Sequence, residues 1–399
     1  MHASRSLLMW ITIAALTMSA AERKVIVPAG SAKPVGPYSP GIMAGDYLYV
    51  SGQGARDAQG QMPATFEEQA RLCLQNVKLI VEGAGLTLRH VVYSQVYLSD
   101  MNNYGTMDRL WTEYFPDAPP ARAVLGVQRM PIDTPIEINA VAVWDLAGRK
   151  NVEGGGVLTH DRLYLPGAFG VDQATGQVPA DPAAQVQAAL DGMKRVLTAA
   201  GLDFRHVVFV NPYLTAEMPM GVMNRVYASH FEFGNTPARA TIEVASLPHG
   251  ARIEFTGVAV RDLSQRRAVR PKNMAPSPTA SPCVFAGDTL FCSAKSAFIP
   301  GPNSGIFAED VEHQVRMSMR NLLDGLEEAG MDFSHSVATN VYVDDMNEFA
   351  KMNRIYALFF PKDAPPTRTT VQPKASVERR RDADGRAPKL EEISVVAVQ

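Results

Sequence analysis

The chain has 399 residues, 46% of them hydrophobic and 20% charged, which is the composition of a globular protein able to bury several cores rather than a disordered or fibrous one. A formal net charge of -3 supplies neither a basic field for nucleic acid nor an acidic tail, so an electrostatic nucleic-acid footprint is not expected. The three cysteines fall in no Cys/His spacing of a zinc site, and no metal is expected.

Along the chain, Arg5 precedes an apolar stretch from Leu7 to Met18 and the small residues Ser19-Ala20-Ala21. Residues 1–21 therefore read as a secretory signal peptide, its apolar stretch being shorter than the ~20 residues that cross a bilayer. The expectation is an exported protein, periplasmic or secreted, with no stable membrane anchor once the segment is cleaved near Ala21.

Residues 24–147 form the first domain-sized unit. Tyr47-Leu48-Tyr49-Val50-Ser51 has strand character, and Asp57-Ala58-Gln59-Gly60 is a turn. Thr65 with Glu68 makes a capping box, after which Ala70, Leu74, Val77, Val81 and Ala84 form an apolar stripe ended by Gly85. A strand from His90 to Leu98, a helix through Met107 to Phe115, a Pro-rich turn and two closing strands complete the order ββαβαββ. After a flexible joint at Asn151–Gly156, residues 153–262 repeat the plan, with Asp181-Pro182 opening a helix that Gly201 closes. Residues 263–282, rich in Arg, Pro and Ser, read as a linker, and residues 283–399 hold a third copy whose first helix runs from Val311 to Ala329 before Gly330. Cys283 and Cys292 flank a hairpin turn and can pair across it, but domains of this size need no staple and buried free cysteines are common, so free thiols are the expectation. The charge run Glu378–Arg386 reads as a solvated hairpin.

The repetition is the main functional clue. Pro120-Ala121-Arg122, Pro237-Ala238-Arg239 and Pro366-Thr367-Arg368 place arginines 117 and 129 residues apart, and Gly85, Gly201 and Gly330 keep nearly the same period. That period suits whole domains rather than solenoid units of ~20–50 residues. Each arginine is followed by a strand with a glutamate: Glu137, Glu254 and Glu392. A lone Arg/Glu pair is ordinarily a surface ion pair, but recurrence in three copies points to a substrate-facing role. His90, His206 and His335 also recur, at a helix–strand junction, and suit capping or solvent exposure rather than catalysis.

Repeat 1 carries Gly36-Pro37-Tyr38-Ser39, Ser51-Gly52-Gln53, Asn76, Ala84-Gly85, Pro120-Ala121-Arg122 and Ile136-Glu137-Ile138, in an order and spacing that resemble the RidA (YjgF) family of imine/enamine deaminases. The resemblance implies an α/β (α+β), chorismate-mutase-like fold that assembles as trimers with clefts between subunits. Three fused copies then imply an intrachain pseudo-trimer formed by a monomer. It also implies cofactor-free hydrolysis of a 2-imino or enamino acid to a 2-keto acid and ammonia. Arg122, Arg239 and Arg368 would bind the carboxylate, while Glu137, Glu254 and Glu392 would position water, paired as Arg122/Glu137, Arg239/Glu254 and Arg368/Glu392. Tyr38, Ser51, Gly52, Asn224 and Asn353 are the other expected cleft residues, although Tyr38 could simply pack a strand end.

The copies are unequal. Repeat 1 has Asp108 where repeats 2 and 3 have Asn224 and Asn353, and an aspartate there would repel a carboxylate. Ser51-Gly52-Gln53 becomes Pro166-Gly167-Ala168 in repeat 2 and Ser293-Ala294-Lys295 in repeat 3. One or two degenerate clefts are therefore expected. The rival reading is a non-catalytic module that binds small carboxylates or a partner protein. Ribonuclease action, attributed to relatives, is a distant third given the neutral charge.

Overall fold

A computed structural model describes residues 22–272, 274–299, 308–383 and 385–399. The expected signal peptide, residues 1–21, lies outside the described residues.

Repeat 1 comprises β1 (Lys24–Ile26), β2 (Gly41–Ala44), β3 (Tyr47–Gln53), α1 (Phe66–Gly83), β4 (Val91–Leu98), α2 (Tyr104–Tyr114), β5 (Ala121–Gly126) and β6 (Ile136–Val143). Repeat 2 comprises β7 (Lys150–Asn151), β8 (Val157–Leu158), β9 (Arg162–Phe169), α3 (Pro182–Ala199), β10 (Val207–Leu214), α4 (Met220–Ala228), β11 (Ala238–Arg239), β12 (Ile242–Glu243) and β13 (Ile253–Val260). Repeat 3 comprises β14 (Arg266–Val269), β15 (Cys283–Ala286), β16 (Thr289–Lys295), α5 (Val311–Glu328), β17 (Ser336–Val343), α6 (Phe349–Tyr356), β18 (Thr367–Val371) and β19 (Glu391–Val398). Each repeat thus adds a leading strand to the expected ββαβαββ. In repeat 3 that strand, β14, falls inside the expected 263–282 linker, because Arg266–Val269 pairs antiparallel with Cys283–Ala286.

The three sheets share one order, β1-β2-β3-β6-β4-β5 and its counterparts, antiparallel except for the parallel pair spanned by the second helix, such as β4 with β5. The helix starts follow from local chemistry. Thr65 and Glu68 close the capping box before α1, and Asp181 caps α3 with Pro182 at its first position. Gly85, Gly201 and Gly330 take the positive φ that ends the first helix of each copy. His90, His206 and His335 cap the short turn before the next strand, each ring Nδ1 facing the backbone N–H of Thr87, Asp203 or Asp332.

Strand alternation divides the apolar residues between two cores. On β3, Leu48 and Val50 pack under the helices of their own repeat, whereas Tyr47 and Tyr49 join a cluster that also takes Tyr164 and Phe209 from repeat 2 and Val284 and Phe291 from repeat 3. A second shared cluster gathers Tyr97, Tyr213 and Tyr342, one from each repeat. Contacts run in a closed cycle: β5 on β9, β11 on β16, and β18 on β3.

At one end of the shared core a single buried arginine joins all three repeats. Arg162 lies over the Tyr47 ring at 4.1 Å and donates to Asp161 (Nη2, 2.6 Å) and to Thr289 Oγ1 (3.1 Å). Cys283 and Cys292 sit opposite one another in the β15/β16 hairpin and form a disulfide, so the bonded alternative holds; Cys73 is free and buried. Glu378–Arg386, its residue 384 outside the described residues, is an exposed loop rather than a strand hairpin, held by ion pairs such as Arg379–Glu348 (3.0 Å).

Candidate functional site

The recurrent arginines and glutamates do meet, but not within a repeat. The sheet order places β4 between β5 and β6, which separates Arg122 from Glu137. Because each sheet's β5-type edge abuts the next repeat's β3-type strand, the arginine of one copy faces the glutamate of the following one. Arg122 acts on Glu254, Arg239 on Glu392, and Arg368 on Glu137. The expected pairs Arg122/Glu137, Arg239/Glu254 and Arg368/Glu392 are corrected accordingly.

The cleft between repeats 3 and 1 is the most complete. It has a volume of about 520 Å³ and is lined by Tyr38, Gly52, Gln53, Glu137, Phe349 and Arg368, among others. The Gly-Pro-Tyr-Ser turn of repeat 1 docks on repeat 3, where Ser39 Oγ donates to Pro365 O (2.6 Å) and Ser39 N to Pro366 O (3.2 Å). Ser51, expected to contact substrate, instead fixes the arginine: its buried Oγ donates to Ser39 O (2.6 Å) and accepts the Arg368 backbone N–H (2.9 Å).

The Arg368 side chain is only 3% exposed and sits in an aromatic cage, its guanidinium carbon 5.0–5.4 Å from the rings of Tyr356, Tyr38 and Phe349. Both terminal nitrogens are buried without a hydrogen-bond partner, as is Asn353 Oδ1. Unpaired buried guanidinium nitrogens cost folding energy unless a partner satisfies them. A Cβ at residue 36 would lie 3.1 Å from Asn353 and would overlap the guanidinium, so Gly36 is what admits Arg368 to the cage.

Glu137 faces this cation from a seat that glycine creates. The β3/β6 register slips at Ser51-Gly52, a bulge that carries the glycine backbone against the carboxyl. A Cβ at residue 52 would stand 2.7 Å from Glu137 Cδ. Burial pushes the Glu137 carboxyl up to about 8, against the pull of Arg368 and the Thr370 amide. Glu137 therefore stands mainly protonated near neutral pH, beside an unpaired guanidinium.

The other two clefts have lost different parts. Between repeats 1 and 2, Gly167 preserves the seat and Glu254 is fully buried, with burial pushing its carboxyl well above the usual range. Arg122, however, is already neutralised by Asp108 at 2.5 Å. Asp108 thus acts by occupying the arginine rather than only by repelling a carboxylate. Pro166 also replaces Ser51 and has no hydroxyl to hold the Arg122 backbone. Between repeats 2 and 3, Ser293 Oγ accepts the Arg239 N–H (2.8 Å), as Ser51 does for Arg368, and Asn224 Oδ1 accepts from Arg239 Nη1 (2.8 Å). Here Ala294 replaces the glycine, and Glu392 leaves that seat for an ion pair with Lys389 (2.6 Å). Lys295 stands nearby, its pKa lowered by burial.

Sequence reasoning missed the aromatic wall. Trp111, Tyr227 and Tyr356 each lie 4.9–5.1 Å from the arginine of their own repeat. They recur three residues after Asp108, Asn224 and Asn353, on the same helix face, a signal present in the sequence. Among the described residues, no group of three or more His, Cys, Asp and Glu side chains converges to hold a metal ion.

Comparisons with known proteins agree with the threefold repetition. The family model described as Endoribonuclease L-PSP matches residues 29–144, 153–261 and 272–379. A RutC family protein of Pyrococcus horikoshii is 40% identical over 122 residues, covering 30% of this chain and 97% of the relative. A mouse protein named 2-iminobutanoate/2-iminopropanoate deaminase is 37% identical over 128 residues, covering 32% of this chain and 95% of its own length. The solved structure of Escherichia coli TdcF with bound serine is 35% identical, covers 30% of this chain and 98% of its own, and has a TM-score of 0.29. This chain belongs to the Endoribonuclease L-PSP family, the RidA/YjgF proteins, as three tandem copies.

Proposed function

We propose that the chain is an intrachain pseudo-trimer that hydrolyses 2-imino acids to 2-keto acids and ammonia, and that the cleft between repeats 3 and 1 does the work. The observation that carries this reading is the juxtaposition, in one open cleft, of a caged Arg368 with two unpaired buried nitrogens and a buried Glu137 whose carboxyl burial pushes up to about 8. Arg368 takes the substrate carboxylate as a bidentate partner, which places C2 beside Glu137. The Glu137 carboxyl donates its proton to the imine nitrogen, and the resulting carboxylate accepts a proton from the water that attacks C2. Glu137 then returns that proton to the amine; as ammonia departs, the carbinolamine hydroxyl gives its proton to the Glu137 carboxylate, leaving keto acid and ammonia and restoring the protonated carboxyl. A carboxyl with a pKa near the working pH suits both halves of this exchange. Asn353, Tyr38 and Phe349 shape the pocket, and Ser51 acts through the backbone of Arg368.

The test is the decay of 2-iminopropanoate, generated in place by an amino-acid oxidase, with wild-type protein and single variants. Arg368→Ala removes the acceleration, by ~100-fold or more if a charge-assisted bidentate contact is lost. Arg122→Ala and Arg239→Ala, in the clefts whose arginine or glutamate is already engaged, stay within about threefold of wild type. Equal losses in all three variants would refute the single-cleft assignment. No acceleration by wild type, with pyruvate still bound, would leave a carboxylate-binding module instead. Export is part of the proposal, on the strength of the apolar segment before Ala21; a secreted protein whose amino terminus still carries Arg5 would count against cleavage.

A further inference from the structure

The cleft between repeats 3 and 1 extends well beyond what a three-carbon imino acid fills. Besides Glu137 and Arg368 its lining includes Val35, Pro131, Ile132 and a second guanidinium, that of Arg56. Two nitrogens of Arg56 are tied to the backbone, Nη1 donating to Gly60 O (2.9 Å) and Nη2 to Ile132 O (3.0 Å). Its Nε is buried without a partner. Neither tether is an anion, so the charge of Arg56 is held in place without being neutralised. Lys33 adds a further exposed cation to the same cleft. The carboxylate at this end, Asp57, is turned into its own loop, where Oδ1 accepts the amides of Gln59 (2.9 Å) and Gln61 (2.8 Å). The other carboxyl of the cleft, Glu137, is the group that burial keeps protonated.

We propose that this cleft selects 2-imino acids whose side chain ends in a second carboxylate, with Arg368 holding the C1 carboxylate and Arg56 the distal one. The assignment rests on the deaminase reading of the same cleft and specifies its substrate class. The cleft volume of about 520 Å³ leaves room for a side chain between the two guanidinium groups.

The test measures binding and turnover separately on the full chain. By titration calorimetry, 2-oxoglutarate binds ~10-fold or more tighter than pyruvate, the difference expected of one added charge-assisted contact. That affinity ratio falls toward one in Arg56→Leu and is partly retained in Arg56→Lys, which keeps the charge without the backbone tethers. A wild-type ratio within twofold of one overturns the assignment whether or not the variants fold. So does a ratio that survives in Arg56→Leu. Turnover of 2-iminoglutarate and 2-iminopropanoate then separates the two readings. Equal efficiency on both sinks the acidic-substrate assignment and leaves the deaminase; turnover of neither sinks the deaminase reading and this assignment with it.

Discussion

Placing a methyl group in the glycine seat of Glu137 tests how the cleft works. In Gly52→Ala the new Cβ would stand 2.7 Å from Glu137 Cδ and 3.0 Å from its Cγ, whereas ordinary van der Waals contact begins at 3.4 Å. Glu137 Oε1 lies closer still, so the carboxyl must retreat by well over the 0.7 Å that Cδ alone requires. Since the obstructing group is a side chain rather than backbone, rotation relieves most of the overlap, and the stability cost stays near the low end of overpacking, about 1 kcal/mol. Catalysis is affected more, because a misplacement of ~1 Å at a reacting group costs ~100-fold. Repeat 3 already shows the outcome: with Ala294 in this position, Glu392 turns to Lys389. The matched control is Gly167→Ala, whose Cβ would stand 2.9 Å from Glu254 Cδ in the cleft where Asp108 occupies the arginine. The assay is initial-rate decay of 2-iminopropanoate alongside thermal unfolding. Gly52→Ala should lose about two orders of magnitude in kcat with a melting shift of a few degrees, while Gly167→Ala keeps its rate. A Gly52→Ala enzyme within threefold of wild type would refute the seat argument, and an equal loss in Gly167→Ala would refute the choice of cleft.

The same electrostatics predict two pH dependences. Because the protonated form of Glu137 opens the reaction, kcat/KM should fall as pH rises through about 8, and a profile that instead rises through that range would overturn its role as acid. Glu391 is buried with its carboxyl also raised to about 8, by burial first, with a hydrogen bond from Ser318 opposing. A folded-state pKa above the unfolded one contributes stability that is complete below about 4.5 and is lost as pH rises through about 8. Glu391→Gln should therefore stabilise the protein at pH 9 relative to wild type, by up to about 5 kcal/mol at 1.36 kcal/mol per pKa unit, with little difference at pH 5. Denaturant titrations giving the same difference at both pH values would contradict this account.

Much of the architecture was legible because local chemistry dictates it. The Thr65/Glu68 box, the Asp181-Pro182 start and the glycines after each first helix all act over a few residues, and all appear where the sequence places them. The arginines and glutamates were legible as a recurrent set but not as pairs. Pairing depends on which sheet edge abuts which neighbour, a long-range property that no periodicity encodes. Ser51 illustrates a related limit: the motif identified an important hydroxyl, yet only the packing of repeat 1 on repeat 3 reveals that it holds a backbone amide rather than a ligand. The leading strand β14 was obscured by the Arg- and Pro-rich composition around it, since four residues at a sheet edge need little apolar content to pair.

Arg162 shows what joining the copies into one polypeptide permits. Its counterparts at the same strand position are Tyr47 and Thr289, and all three meet at the centre. A ring of identical subunits would have to place three arginines at that point, where their mutual repulsion would oppose assembly. A single polypeptide can install one cation, one aromatic ring and one hydroxyl there, so the copies are no longer interchangeable. The same freedom acts on the clefts: each substitution falls on one of them alone, and two can drift while the third stays under selection.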